Sequence, residues 1–216
     1  MSSQLFRLNI SDALGTVSAE LVTGQQTSAI MTLAHGAGAG MNHPFMTSLS
    51  HALAALGIAT LRFNFVYMEQ KKKRPDFPAV AHKAVEAALR KAHELFPDTP
   101  LFASGKSFGG RMSSQFLAEH PVDFVRGIVF VGFPLHPAGK PSVERAEHLK
   151  KITKPMLFLQ GTRDELAEWS LIQQVTQDLP LATLDVLEGA DHAFKAGKQN
   201  LIPVIAGRIQ QWIALQ

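Results

Sequence analysis

Leu101-Phe102-Ala103-Ser104-Gly105-Lys106-Ser107-Phe108-Gly109-Gly110 joins a short apolar run to a longer segment with helical spacing, and the junction is a G-x-S-x-G. A serine placed there sits on a sharp turn. Its neighbours at positions 105 and 109 must be small so that strand and helix do not collide across it. Two other uses of glycine fail on spacing. Gly105-Lys106-Ser107 matches the tail of a phosphate-binding loop, but the first glycine of such a loop would fall on Pro100. In Gly36-Ala37-Gly38-Ala39-Gly40 a dinucleotide fingerprint would need glycine at Met41 or His43, and no acidic residue follows at the required distance.

Outward from that junction the chain alternates. Apolar runs at 29–34, 59–65, 101–104, 127–132, 156–160 and 183–187 read as buried strands, and 44–56, 80–96, 109–120, 166–178 and 200–215 read as helices. Pro44 just inside one helix and Gly57 just past it match the end preferences of those residues. Parallel strands need crossover connections that pack back on the sheet, so the alternation predicts an α/β class, with a mostly parallel sheet covered on both faces. Residues 5–10 and 16–22 are expected to form an antiparallel pair at its edge. With 216 residues and no repeat or linker, the chain reads as a single domain over 1–216.

Composition excludes several classes of chemistry. At 46% hydrophobic and 18% charged residues the chain is too apolar for disorder. It has no cysteine, which removes disulfides, thiolate metal sites and thiol nucleophiles together. A net charge of +3 gives no reason to expect nucleic acid as a partner. No signal peptide is visible, and no apolar run approaches the ~18 residues of a membrane span. A cytoplasmic protein without membrane association is therefore expected. The remaining histidines show no metal-ligand spacing, so no metal and no cofactor are expected.

In open α/β sheets ligands bind beyond the carboxyl ends of strands, which directs attention to the residues just after each apolar run. Ser107 is the candidate nucleophile. A serine hydroxyl needs a base, and the base an orienting acid. Asp164, in Gly161-Thr162-Arg163-Asp164, follows the run 156–160, and His192, in Gly189-Ala190-Asp191-His192, follows 183–187. Glu165, Glu168 and Asp191 compete for the acid's role; Asp164 is favoured because it is the first acid past its strand. An oxyanion hole needs one N–H from the residue after the nucleophile and one from an earlier loop. Phe108 and Ala37 are the candidates, with His35 expected to shape the glycine loop rather than act as a base.

The combination of His35-Gly36, Gly105-x-Ser107-x-Gly109, Asp164 and His192 resembles the α/β-hydrolase superfamily over essentially the whole chain. More narrowly, Leu33–Gly38, Arg62-Phe63-Asn64-Phe65 with Tyr67-Met68, Gly132–Pro137 and Gly161–Asp164 look like a small bacterial branch. That branch is similar to the hydrolase-like domain of testis-expressed protein thirty and of subunit three of the NSL regulatory complex, and distantly to dienelactone hydrolases. The branch usually carries Arg where this chain has Lys106, and a dienelactone hydrolase carries a cysteine nucleophile where this chain has Ser107. The resemblance implies the hydrolase fold and the Ser, Asp, His triad, and leaves the substrate open.

Only one short helix, around 143–150, is expected between the runs 127–132 and 156–160, so no large lid is predicted. An uncapped site favours small soluble esters or thioesters. Lys71-Lys72-Lys73-Arg74, with Lys106 and Arg163, is a candidate basic rim for an anionic substrate, against the plainer reading of a solvated loop. Lys106, Tyr67, Met68 and His136 are the candidate substrate-binding residues, with core packing the alternative for the apolar ones. The expected activity is ester or thioester hydrolysis through an acyl-enzyme. The alternative is a hydrolase-fold scaffold with little chemistry, and a peptidase or acyltransferase would share the same triad.

Overall fold

The computed structural model describes residues 1–216. Eight strands, β1 (Ser2–Ser11), β2 (Gly15–Thr23), β3 (Ala29–Ala34), β4 (Ile58–Phe63), β5 (Leu101–Lys106), β6 (Val125–Val131), β7 (Met156–Gly161) and β8 (Ala182–Leu187), form one open sheet in the order β1-β2-β4-β3-β5-β6-β7-β8. β1 and β2 are antiparallel, as are β2 and β4, and every pairing from β4 through β8 is parallel. All six residues of β3, of β4 and of β7 are buried, which is why these runs are mostly apolar rather than alternating, with Thr32, Thr60, Arg62 and Gln160 as the buried polar exceptions. β1 is exposed along most of its length, as the expected edge strand.

Five α-helices lie in the connections between strands and a sixth follows β8: α1 (Pro44–Ala55), α2 (Val66–Glu69), α3 (Pro78–Leu95), α4 (Phe108–Glu119), α5 (Trp169–Gln177) and α6 (Ile202–Ile213). Met46, Leu49 and Leu53 of α1 share one core with Ile205, Ile209 and Trp212 of α6. The other face of the sheet is covered by α3, through Val85 and Leu89, by α4, through Met112 and Phe116, and by Ile172 of α5. The sheet is thus a middle layer, and its carboxyl edge is left open. Between β6 and β7 stands a single 3-10 helix, Glu144–Lys151, in place of a cap. No helix is long and apolar enough to cross a membrane.

Most element boundaries shift by one to three residues from the sequence expectation, and two of the shifts have a visible cause. The run expected to extend to Phe65 leaves the sheet at Phe63 and turns into α2. Phe65 N–H donates to His35 Nε2 (3.2 Å) instead of to a strand, and Asn64 Nδ2 donates to Glu69 (3.1 Å) across the turn. The helix expected from 166 begins at Trp169, because Leu166 N–H donates to Asp164 Oδ1 (2.8 Å) and Ala167 N–H to Asp164 O (3.1 Å). Those residues wrap the carboxylate before any helix can start.

Candidate active site

Four strand ends converge on the open edge. β5 delivers Ser107, β7 Asp164 and β8 His192, while β3 runs into the glycine loop. Ser107 is held at φ 51° and ψ −115°. A non-glycine residue there costs ~1–3 kcal/mol and persists only where its surroundings enforce it. Ser107 N–H donates to Val131 O (3.2 Å) and Arg111 N–H to Ser107 O (3.1 Å), which fixes both flanking peptides. The glycines provide the clearance that the motif predicts. A Cβ on Gly105 would stand 2.4 Å from the Gly109 carbonyl carbon, and one on Gly109 would stand 2.4 Å from Ala34 O.

The three side chains singled out in the sequence lie within hydrogen-bond reach of one another. His192 Nε2 is 2.8 Å from Ser107 Oγ, and His192 Nδ1 is 2.7 Å from Asp164 Oδ2. An acid at Nδ1 fixes the neutral tautomer with its proton there, which leaves Nε2 as an acceptor for the serine O–H. Asp164 is buried, and its carboxylate also accepts from Gln160 Nε2 (2.6 Å) and Leu166 N–H (2.8 Å). Three donors compensate a charge withdrawn from water. The competing acids are engaged elsewhere or exposed. Asp191 Oδ1 accepts from Lys195 N–H (2.8 Å), Glu168 Oε1 accepts from Ser170 Oγ (2.9 Å), and Glu165 faces solvent.

The glycine loop is braced from β4 and α2. His35 Nδ1–H donates to Gly36 O (2.7 Å) while Nε2 accepts from Phe65 N–H, so both ring nitrogens serve the loop, as expected for a shaping residue. Burial lowers the His35 pKa to about 4, against a weaker pull upward from Gly36 O. Buried Arg62 donates to Met41 O (2.8 Å) and Thr47 Oγ1 (2.7 Å) and pairs with Glu20, and Asn64 Oδ1 accepts from Met41 N–H (2.9 Å). Gly38 N–H donates to Tyr67 Oη (2.8 Å) and Ala39 N–H to Gly36 O (3.2 Å). Ala37 N–H takes no part in these bonds. Phe108 contributes the first amide of α4, which has no carbonyl one turn behind it within its own helix.

A cavity of about 390 Å³ opens beside Ser107. Its walls are Ala37 and Ala39 from the glycine loop, Phe45 and Met46 from α1, Leu166, and Ala193 next to His192. Gly36, His43, Lys106, Ser107 and His192 complete the lining. A larger hollow of about 560 Å³, around Gly24 and Gly57, lies at the amino ends of β3 and β4, on the opposite edge from Ser107.

The substrate-binding expectations need correction. Tyr67, Met68 and His136 do not line the cavity. The Tyr67 ring is fully buried, with its hydroxyl committed to Gly38. His136 is buried, with Nδ1 donating to Pro137 O (2.9 Å) and Nε2 accepting from Glu168 N–H (2.8 Å). Met68 packs against the apolar core and the glycine loop. Lys106 does reach the lining, but its ammonium donates to His192 O (2.5 Å). Lys71, Lys72, Lys73 and Arg74 are exposed and, like Arg163, stand outside the cavity wall, as a solvated loop would. Conversely, Gln160, Arg62 and the α1 residues Phe45 and Met46 were not anticipated. The position of α1 straight after the glycine loop was the available signal for the last two.

A family model described as an alpha/beta hydrolase domain matches residues 27–203. The chain belongs to that family. Among solved structures, this hydrolase domain is similar to one from Xanthomonas campestris described as an a/b serine hydrolase without lid, at TM-score 0.77 and 18% identity, covering 98% of this chain and 95% of that one. It is similar to dienelactone hydrolase from Anabaena variabilis, at TM-score 0.76 and 18% identity, covering 100% and 99%. It is likewise similar to the esterase domain of a Rhodothermus marinus protein, at TM-score 0.74 and 18% identity, covering 98% of each. At such identities the likeness carries the fold.

Proposed function

We propose that the protein is a serine hydrolase that cleaves esters or thioesters of small soluble substrates through an acyl-enzyme. The observation that carries this reading is the relay from Ser107 Oγ through His192 to Asp164, at 2.8 and 2.7 Å, with the serine held on a strained turn. Ser107 Oγ attacks the carbonyl carbon as its proton passes to His192 Nε2, and the N–H groups of Ala37 and Phe108 receive the negative charge on the carbonyl oxygen. Collapse of that intermediate breaks the bond to the alcohol or thiol, which leaves with the proton from His192. Water then attacks the acyl-serine, gives its proton to His192, and the acid departs as Ser107 is restored. Asp164 holds the imidazole tautomer and steadies the imidazolium. No cofactor enters any of these steps.

The cavity is small and its walls are mostly apolar, which supports short or compact acyl groups over long lipid chains. The absence of a cap between β6 and β7 supports soluble substrates. The exposed Lys71–Arg74 run adds nothing to the cavity wall, so an anionic substrate has no dedicated partner there. A cytoplasmic location belongs to the same reading.

The test is covalent labelling by a broad fluorophosphonate probe, followed by mass spectrometry on the native protein and on Ser107→Ala. Label confined to Ser107, with ester turnover falling ~10⁴-fold or more in the variant, is the expected result. A folded native protein that takes no label would favour the scaffold alternative.

A further inference from the structure

The loop that carries His192 is secured unevenly. On its two flanks the main chain is tied down: Arg163 N–H donates to Ala190 O (3.0 Å), Asp191 N–H to Lys195 O (3.1 Å) and Phe194 N–H to Asp191 O (2.9 Å). His192 and Ala193, between those flanks, exchange no hydrogen bond with any other main-chain group. The bond that reaches this stretch of backbone comes from a side chain, Lys106 Nζ to His192 O at 2.5 Å. Lys106 is the residue next to the nucleophile and is 86 positions away in sequence.

The surroundings of the ammonium are built for that contact. Nζ stands 4.9 Å from the centre of the Phe194 ring, a cation–π distance. Phe194 is itself held at φ 61° and stacks on Phe45 of the cavity wall at 5.7 Å. Gly132, at φ 72°, leaves the necessary room, since a Cβ there would lie 3.2 Å from Nζ and 3.3 Å from Phe194 Cε2. The lysine therefore grips the His192 loop at two points, a carbonyl and the ring two residues on.

We propose that Lys106 is a positioning residue for the reaction: its ammonium clamps the main-chain carbonyl of His192, so that the residue beside the nucleophile holds the base within reach of it. This role presupposes the serine-hydrolase mechanism above. A base displaced by about 1 Å can cost up to ~10²-fold in rate, and the main chain of His192 and Ala193, which makes no main-chain bond of its own, is held by this contact between the tied flanks. Burial lowers the Lys106 pKa to about 8, against the charges of Asp164 and Asp191, and the titratable groups that face it are those two carboxylates and His192. Above that pH an amine replaces the ammonium, and the charge-assisted bond to the carbonyl weakens.

The experiment compares wild type with Lys106→Met and Lys106→Arg, using the rate of fluorophosphonate labelling at Ser107, kcat and KM on a small neutral ester, and the pH dependence of both from 6 to 10. Lys106→Met keeps the aliphatic packing and removes the donor. Its labelling rate and kcat are expected to fall by about tenfold or more with KM nearly unchanged. Wild type should lose rate through an alkaline limb near pH 8. That limb should be absent in Lys106→Met and in Lys106→Arg, because a guanidinium does not titrate in this range, and the arginine should recover part of the rate. If Lys106→Met does not fold, the missing limb in Lys106→Arg carries the test. Variants that label as fast as wild type, or that lose only KM, overturn the clamp while leaving the serine mechanism standing. A wild type that takes no label overturns both.

Discussion

Gln160 donates its side-chain amide to Asp164 Oδ2 at 2.6 Å, the same oxygen that meets His192 Nδ1 at 2.7 Å. The amide is anchored at its other end, where Gln160 Oε1 accepts from Phe133 N–H (2.9 Å), and the residue is wholly buried. In the proposed mechanism the glutamine fixes the rotation of the carboxylate, which in turn fixes the imidazole. Gln160→Met fills the same volume with no donor or acceptor. It is expected to lower kcat by roughly tenfold through a misaligned His192, and to cost ~1–3 kcal/mol of stability because Phe133 N–H is left buried without a partner. Asp164→Asn, which presents the wrong group to Nδ1, should cost on the order of 10⁴ in kcat. Steady-state kinetics with urea melts on the two variants checks both numbers. A Gln160→Met enzyme with full kcat would show that Leu166 N–H and His192 suffice to orient the carboxylate.

Tyr67 gives a test of whether the glycine loop is braced or merely adjacent. Its hydroxyl accepts from Gly38 N–H, next to the proposed donor Ala37, and its ring is buried away from the cavity. Tyr67→Phe keeps the packing and leaves Gly38 N–H without a partner. We expect a loss of about 1 kcal/mol in stability and a several-fold drop in kcat, with KM unchanged. A rise in KM alone would restore Tyr67 to the substrate-contacting role that its place after β4 suggests.

Those two residues also mark where the sequence stops being legible. The parallel core reads directly from composition, because β3, β4 and β7 are buried on both faces and are therefore mostly apolar. The positions of Ser107, Asp164 and His192 read from the same pattern, since each is the first suitable side chain past a strand. Helix α2 does not, because its four residues cannot display a helical period, and its cause is the pull of His35, 30 residues away, on Phe65 N–H. That turn also carries Tyr67 inward, away from the cavity that its strand-end position implies. Gln160 looks like one more strand residue until the chain folds back to set Asp164 against it. Tyr67 is tied to Gly38, 29 positions away, and Gln160 to Phe133, 27 positions away, and bonds of that span leave no local pattern to read.

The strain at Ser107 predicts opposite effects on stability and activity. Its φ of 51° suits glycine far better than serine. Ser107→Ala keeps the Cβ and so keeps the strain, whereas Ser107→Gly relieves it. Relief of ~1–3 kcal/mol is partly offset by the greater freedom of glycine in the unfolded chain, ~0.4–1 kcal/mol. The glycine variant should therefore be more stable than the alanine variant by about 1 kcal/mol, and both should be inactive. Thermal melts of the two proteins side by side decide it. Equal midpoints would mean that the turn is not strained in solution.

Acid should destabilise the protein in a window to which buried His35 and half-buried His148 contribute. His35 is lowered to about 4 by burial, and His148, whose Nε2 lies 2.8 Å from Ser114 Oγ, is lowered to about 4 by burial and then by Arg111. In the unfolded chain both titrate near 6.5. Between pH 6.5 and 4 the unfolded state therefore binds protons that the folded state refuses, so stability falls as pH drops through that interval and levels off for these groups below 4. For His35, which is fully buried, the loss is on the order of 3 kcal/mol. Glu69 acts in a lower window. Burial raises its pKa, but the hydrogen bonds from Asn64, Ser18 and Arg7 outweigh that and bring it to about 2, so its contribution is lost only as pH falls from 4.5 toward 2. Urea midpoints at pH 7.5, 5.5 and 4.5 should drop steadily in wild type and less steeply in His148→Gln, whose amide can still bond Ser114. The catalytic rate of the folded enzyme should fall only as pH approaches 4, where His35 itself takes up a proton, because a protonated His35 sets an N–H against the Phe65 N–H and releases the loop that carries Ala37. A urea midpoint that holds constant from pH 7.5 to 4.5 would mean that both imidazoles gain their protons without opening the fold.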